Sequence, residues 1–200
     1  MCGVIGFVGN FDQHRDKFKK LVHESSVRGT HSYGFSYHEQ SQVKTFKTHY
    51  ILEAIKALEN IRPDKFIFHN RYSTTGDWQL HVNNQPITAN GESFVFNGVI
   101  SQATKEENQE KYGITLQTDN DGELFLAAGD KKKFIENCRG SIAGLYMDDK
   151  LNIFTVKNRR RPLWIHHADD GSRIVASTVS ILRRAGIEGC TEVENGVAKL

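Results

Sequence analysis

Met1-Cys2-Gly3-Val4-Ile5-Gly6-Phe7-Val8 opens the chain, and its reading decides the fold. The apolar run 4–8 follows a thiol directly and reads as a buried strand. Methionine is normally trimmed before a small side chain, and cysteine qualifies. The trimmed chain would carry a thiol and a free α-amine on one residue. An α-amine has a reference pKa of about 7.7–8.0, so it acts as a base near neutral pH. A base beside a nucleophile activates it, here in the N-terminal amine variant of the triad. Gly3 lets the backbone approach a substrate closely. Taken alone, a cysteine at position 2 reads first as chance or core packing. The rest of the chain has to decide.

Outward from this strand, short apolar runs dominate. Further strands are expected at 35–37, 43–46, 66–68, 94–96, 142–147, 151–156, 163–165 and 174–176. A last one is expected within 193–200, after the Asn195-Gly196 turn signal. Asp148-Asp149 marks a hairpin. Helices are expected around Phe18, Leu21 and Val22, and along Leu52, Ile55, Leu58 and Ile61. A third is expected through Leu124, Phe125 and Ala128 with Asp121 as its cap, and a fourth over 178–184. Strands mixed with helices without strict alternation predict an α+β layered fold.

The bulk numbers narrow the classes. The chain has 200 residues and a net charge of +2, with 25% charged residues. No linker, repeat or low-complexity segment interrupts it, so one domain over residues 1–200 is expected. No block of five like charges occurs, which argues against a nucleic-acid or membrane partner. The basic run Lys157-Asn158-Arg159-Arg160-Arg161 reads as a solvated loop or strand end. Cys2, Cys138 and Cys190 form no CxxC pair, so no metal is expected. An odd cysteine count without a secretory signal predicts a cytoplasmic setting. Cys138 sits near an expected helix end and reads as an inert thiol.

Three more segments carry chemistry. The strand at 66–68 runs into His69-Asn70-Arg71-Tyr72-Ser73-Thr74-Thr75-Gly76, a hydroxyl-rich loop at a strand end. Arg71 would grip a carboxylate bidentately, with Thr74 beside it; the plainer reading is an ordinary surface salt bridge. Asn97-Gly98 between apolar runs reads either as a hairpin turn or as an oxyanion hole built from the Asn97 amide and the Gly98 N–H. Gln117-Thr118-Asp119-Asn120-Asp121 reads as helix capping, or places Asp119 against an α-ammonium group. Arg71 and Asp119 together would recognise both charged ends of an amino acid.

In order, these segments resemble the class II glutamine amidotransferases, a branch of the N-terminal nucleophile hydrolases. Cys2-Gly3-Val4-Ile5-Gly6 resembles the family's opening CGIxG. Arg28-Gly29-Thr30-His31-Ser32-Tyr33-Gly34 resembles RGxDSxG, with His31 where the family usually has aspartate. His69 to Gly76 resembles HTRWATxG, with Tyr72 for tryptophan. Asn83-Asn84-Gln85-Pro86-Ile87 resembles NAQPF, the form of the phosphoribosyl-pyrophosphate branch. Phe96-Asn97-Gly98-Val99-Ile100 resembles HNGxI, and Thr118-Asp119 its TD. Gly140-Ser141-Ile142-Ala143, Arg161-Pro162-Leu163 and Ile174-Val175-Ala176-Ser177 continue the likeness along essentially the whole chain.

The resemblance implies a four-layer αββα sandwich. It implies Cys2 as nucleophile with its own amine as base, and Asn97 and Gly98 as the oxyanion hole. Arg71, Tyr72, Thr74, Thr75, Gln85 and Asp119 would contact the substrate, glutamine. No cofactor or metal is implied. The family's synthase domain has no counterpart up to Leu200, so the expectation is a separate ammonia-accepting synthase subunit, a fragment of a longer chain, or free ammonia as the product. Two competing readings are a silent module that retains Met1, and a hydrolase of another amide such as a γ-glutamyl compound.

Overall fold

A computed structural model describes residues 1–73 and 76–200. The first half forms β1 (Gly3–Val8), α1 (Phe11–Ser26), β2 (Ser32–Glu39), β3 (Gln42–Thr48), α2 (Ile51–Ile61) and β4 (Lys65–Arg71). A 3-10 turn at His81–Asn83 leads to β5 (Ile87–Ala89) and β6 (Glu92–Val99). Then come α3 (Lys105–Tyr112), α4 (Glu123–Ala127) and α5 (Lys131–Asn137). The remainder is β7 (Ser141–Met147), β8 (Ile153–Lys157), β9 (Trp164–His167), β10 (Arg173–Ala176), α6 (Val179–Arg184), β11 (Cys190–Glu192) and β12 (Gly196–Lys199).

The strands form two antiparallel sheets. One runs β11-β9-β10-β1-β4-β2-β3, the other β12-β8-β7-β6-β5. Strand parity sorts the side chains into three cores. On β1 and β4, Ile5, Phe7, Phe66 and Phe68 face α1, α2 and α6. There Phe7, Phe11, Phe18 and Phe66 pack ring against ring, each burial contributing roughly 1.5–3 kcal/mol. The intervening Val4 and Ile67 face the other way and meet Val95 and Leu145 between the sheets. Phe94 and Phe96 of β6 turn outward onto Phe125 and Ile135 of α4 and α5. The result is the α+β, four-layer αββα sandwich.

Local signals explain most elements. Asn10 caps α1 by accepting from Asp12 N at 3.1 Å, and Phe11, His14, Phe18, Leu21, Val22 and Ser25 form its buried stripe. The expected strands all form, several shifted by one to three residues. The Asp148-Asp149 hairpin joins β7 to β8.

Several expectations are corrected. Asn97-Gly98 is not a turn: both residues lie inside β6, opposite Ala143 and Ile142 of β7. Asp121 does not cap the third helix, which starts at Glu123 after Gly122. Its carboxylate instead accepts from Ile100 N at 2.6 Å and Ser101 N at 3.0 Å, tying down the end of β6. On α2 the buried face runs through Ala54 and Leu58, and Leu52 points outward. Lys157 is not solvated: it is buried and paired with Glu192 at 3.0 Å. The helix α3, capped by a reciprocal Thr104–Glu107 box, was not expected because it lacks an apolar stripe.

Candidate active site

Parity also builds the site. Cys2 precedes Val4 by two residues, Arg71 follows Ile67 by four, and Asn97 follows Val95 by two. All three therefore face the layer between the sheets, at the ends of β1, β4 and β6. The register of β1 on β4, Gly3 opposite Asn70, sets the start of the chain beside Arg71.

Cys2 is held from four sides. Its backbone N donates to Asn97 Oδ1 at 3.1 Å. Its thiol donates to the Tyr72 carbonyl at 3.6 Å. Its carbonyl accepts from Arg28 Nε at 2.8 Å, and Gly3 follows it into β1. Burial pushes the thiol pKa up, and the positive charges of the N-terminus, Arg71 and Arg28 oppose that rise. Because Asn97 Oδ1 takes the Cys2 N–H, its Nδ2 is the remaining donor. That Nδ2 is buried and without a hydrogen-bond partner among the described residues. A buried donor with no acceptor is costly, so it marks a place where an acceptor belongs.

Gly98 is required by contact. A Cβ there would lie 1.8 Å from the Ser141 carbonyl oxygen, an atom of the neighbouring strand that cannot swing away. Gly98→Ala is expected to destabilise the fold by roughly 1–3 kcal/mol as an overpacking change. A thermal melt checks it, with a fall of at least about 2 °C expected for a chain of this size.

Arg71 is buried, and its Nη1 donates to Asn84 Oδ1 at 2.6 Å. Asp119 is exposed and clamped to Asn83 in both directions. Asp119 N donates to Asn83 Oδ1 at 2.9 Å, and Asn83 Nδ2 donates to Asp119 Oδ2 at 3.2 Å. Gly76 (φ +67°) sits between the two charges: a Cβ on it would lie 3.4 Å from Asp119 Cβ and 3.6 Å from Arg71 Nη2. Gly76 thus lies within van der Waals reach of both side chains.

Gln85 is buried beside β6. Its Oε1 accepts from Phe96 N at 2.6 Å, so it braces β6 one residue before Asn97. Tyr72 is half-exposed and contributes its carbonyl to Cys2 while its ring stacks on His31. Thr74 and Thr75 lie outside the described residues. Cys138 and Cys190 are half-buried free thiols whose pKa burial raises.

Sequence reading missed Arg28, Asn83 and Asn84 as parts of the site, although all three fall in quoted segments. It also missed His69, wholly buried behind the site. Burial and the neighbouring Arg71 charge bring its pKa down to about 3, so it stays neutral. Among the described residues no group of three or more His, Cys, Asp or Glu is arranged to hold a metal ion. No helix among them is long and apolar enough to cross a membrane.

Residues 69–184 match the family described as glutamine amidotransferase domain. The chain belongs to that family. The matched segment contains Arg71, Gln85, Asn97, Gly98 and Asp119. Curated relatives of this amidotransferase domain include two glutamine–fructose-6-phosphate aminotransferases (isomerizing). That of Bacillus licheniformis is 23% identical, covering 92% of this chain and 33% of its own. That of Halalkalibacterium halodurans is 27% identical, covering 88% and 32%. The chain thus spans about one third of the length of these relatives. Among solved structures, the glutamine phosphoribosylpyrophosphate amidotransferase of Bacillus subtilis superposes with a TM-score of 0.74 at 22% identity. The match covers all of this chain and 49% of that one. A glutamine aminotransferase class-II domain protein from Silicibacter pomeroyi gives 0.59 at 10% identity, covering 100% and 98%. These neighbours share the fold.

Proposed function

We propose that this domain hydrolyses the side-chain amide of glutamine through Cys2 and passes the ammonia to a separate synthase subunit. One observation carries the reading: the Cys2 N–H held by Asn97 Oδ1, with Asn97 Nδ2 left buried and without an acceptor. With Met1 removed, that nitrogen is an α-amine. It donates one hydrogen to Asn97 and keeps its lone pair for the thiol proton.

The amine takes the proton from the Cys2 thiol. The thiolate attacks the amide carbon, and the oxygen charge that develops meets Asn97 Nδ2 and the Gly98 N–H. Each such donor lowers the barrier by about 3–4 kcal/mol. The ammonium returns its proton to the leaving nitrogen, and ammonia departs. Water, deprotonated by the same amine, then opens the glutamyl thioester to give glutamate and the free thiol. Arg71 holds the α-carboxylate and Asp119 the α-ammonium. Residues 1–200 act as one glutaminase unit.

Substrate analogues test the reading. Glutamine and N-acetylglutamine are compared on the Met-trimmed chain, its trimming verified by intact mass. N-acetylation removes the charge that Asp119 would meet and is expected to lower kcat/KM by roughly ten- to 100-fold, the scale of a hydrogen bond to a charged group. Equal turnover of both would point to an amide hydrolase with no amino-acid selectivity and would overturn the proposal.

A further inference from the structure

His31 takes no part in the steps above, yet it touches both peptide groups around Tyr72. It lies just ahead of β2. Its backbone N donates to the Arg71 carbonyl at 3.0 Å. Its Nδ1 accepts from Ser73 N at 3.0 Å. Its own carbonyl accepts from His49 Nδ1 at 3.1 Å. Its ring stacks on Tyr72 and on Trp78, at 5.2 and 5.0 Å between centroids.

The Ser73 N–H belongs to the peptide unit whose carbonyl is that of Tyr72. That carbonyl is the acceptor for the Cys2 thiol. In a trans peptide the N–H and the C=O point in opposite directions on one rigid plane. The plane therefore has an imidazole nitrogen at one end and the sulfur at the other. Rotating it by half a turn would face the carbonyl towards His31 and an N–H towards the thiol.

We infer that His31 is a positioning residue: by accepting the Ser73 N–H it aims the Tyr72 carbonyl at Cys2 and so places the thiol. The inference rests on the proposed role of Cys2 as nucleophile. The acceptor must be an unprotonated Nδ1, with the ring proton on Nε2. The loop bearing His31 is itself anchored from behind. Asn70 Nδ2 donates to Ser25 O at 2.9 Å and to Gly29 O at 3.0 Å, fixing the end of α1 and the chain after it against β4.

Two variants separate the acceptor from the ring. His31→Phe keeps the stack on Tyr72 and Trp78 and removes the acceptor. His31→Asn removes the ring and keeps an oxygen near the place of Nδ1. His31→Phe is expected to lower kcat for glutamine by roughly tenfold, the scale of one hydrogen bond, with KM within about twofold. His31→Asn is expected to restore most of the loss. Amide hydrogen exchange at Ser73, followed by NMR, gives a readout that needs no glutamine. Exchange should quicken in His31→Phe and stay slow in His31→Asn. Unchanged kcat and unchanged Ser73 exchange in His31→Phe would overturn the inference, as would equal damage in both variants. Were the wild type to release no glutamate, the function proposed for Cys2 would fail. Ser73 exchange would then still decide whether His31 holds the peptide.

Discussion

Cys2→Ala is expected to bring glutamate release down to the uncatalysed background. Removing the sulfur removes the proposed covalent route. Cys138 lies at the end of α5 and Cys190 on β11, at the far edge of the seven-stranded sheet. Loss of the nucleophile from a hydrolase whose parts act as a unit costs on the order of 10⁶ in kcat, or about 8 kcal/mol of barrier. The fold should survive. Cys2 is only half-buried, and its backbone bonds to Asn97 and Arg28 do not involve the side chain. The assay is glutamate formation by the trimmed chain, with a melt to confirm folding. A variant as fast as the parent would remove Cys2 from the mechanism altogether.

The second large effect is expected from Asn97→Asp. This change keeps an oxygen for the Cys2 nitrogen and replaces the unpaired Nδ2 donor with a second oxygen. It therefore separates the two tasks assigned to Asn97, holding the amine and stabilising the oxyanion. The loss of one oxyanion donor is expected to lower kcat by about 10²–10³-fold. KM for glutamine should change little, because the ground-state amide oxygen carries less charge than the intermediate. Asn97→Ala removes both tasks and should be worse. If Asn97→Asp kept the parental kcat, Nδ2 would have no part in the chemistry, and its burial without a partner would need another cause.

Much of this was legible in the chain itself. Period-two apolar runs locate strands wherever one face or both are buried, and β1, β4, β6, β7 and β10 are all of that kind. The quoted motifs, read in order, also pointed to the family, because the chemistry of an N-terminal thiol demands particular residue types at strand ends. Elements without an apolar stripe escaped. The helix α3 is almost wholly polar and is set by its capping box. The short edge strands β5 and β11 have three residues each, too few for a period to register.

By itself the sequence determined which residues alternate inward along each strand. It left Arg71 and Asn97 beyond the expected strands at 66–68 and 94–96, and only the longer β4 and β6 set them, with Cys2, in the parity of Ile67, Val95 and Val4. It did not determine what those side chains meet. Whether Asn97-Gly98 turns or continues is a matter of pairing: Ala143 and Ile142 of β7 hold it extended, and no local preference of Asn-Gly reveals that partner. The same holds for Gln85, which braces Phe96 across a gap of eleven residues, and for His31, which reaches Ser73 across forty-two. Those two bonds form only when β5 pairs with β6 and β2 with β4, and the bond from Cys2 to Asn97 only when the two sheets stack. That stacking was decided by the three cores as a whole rather than by any one segment.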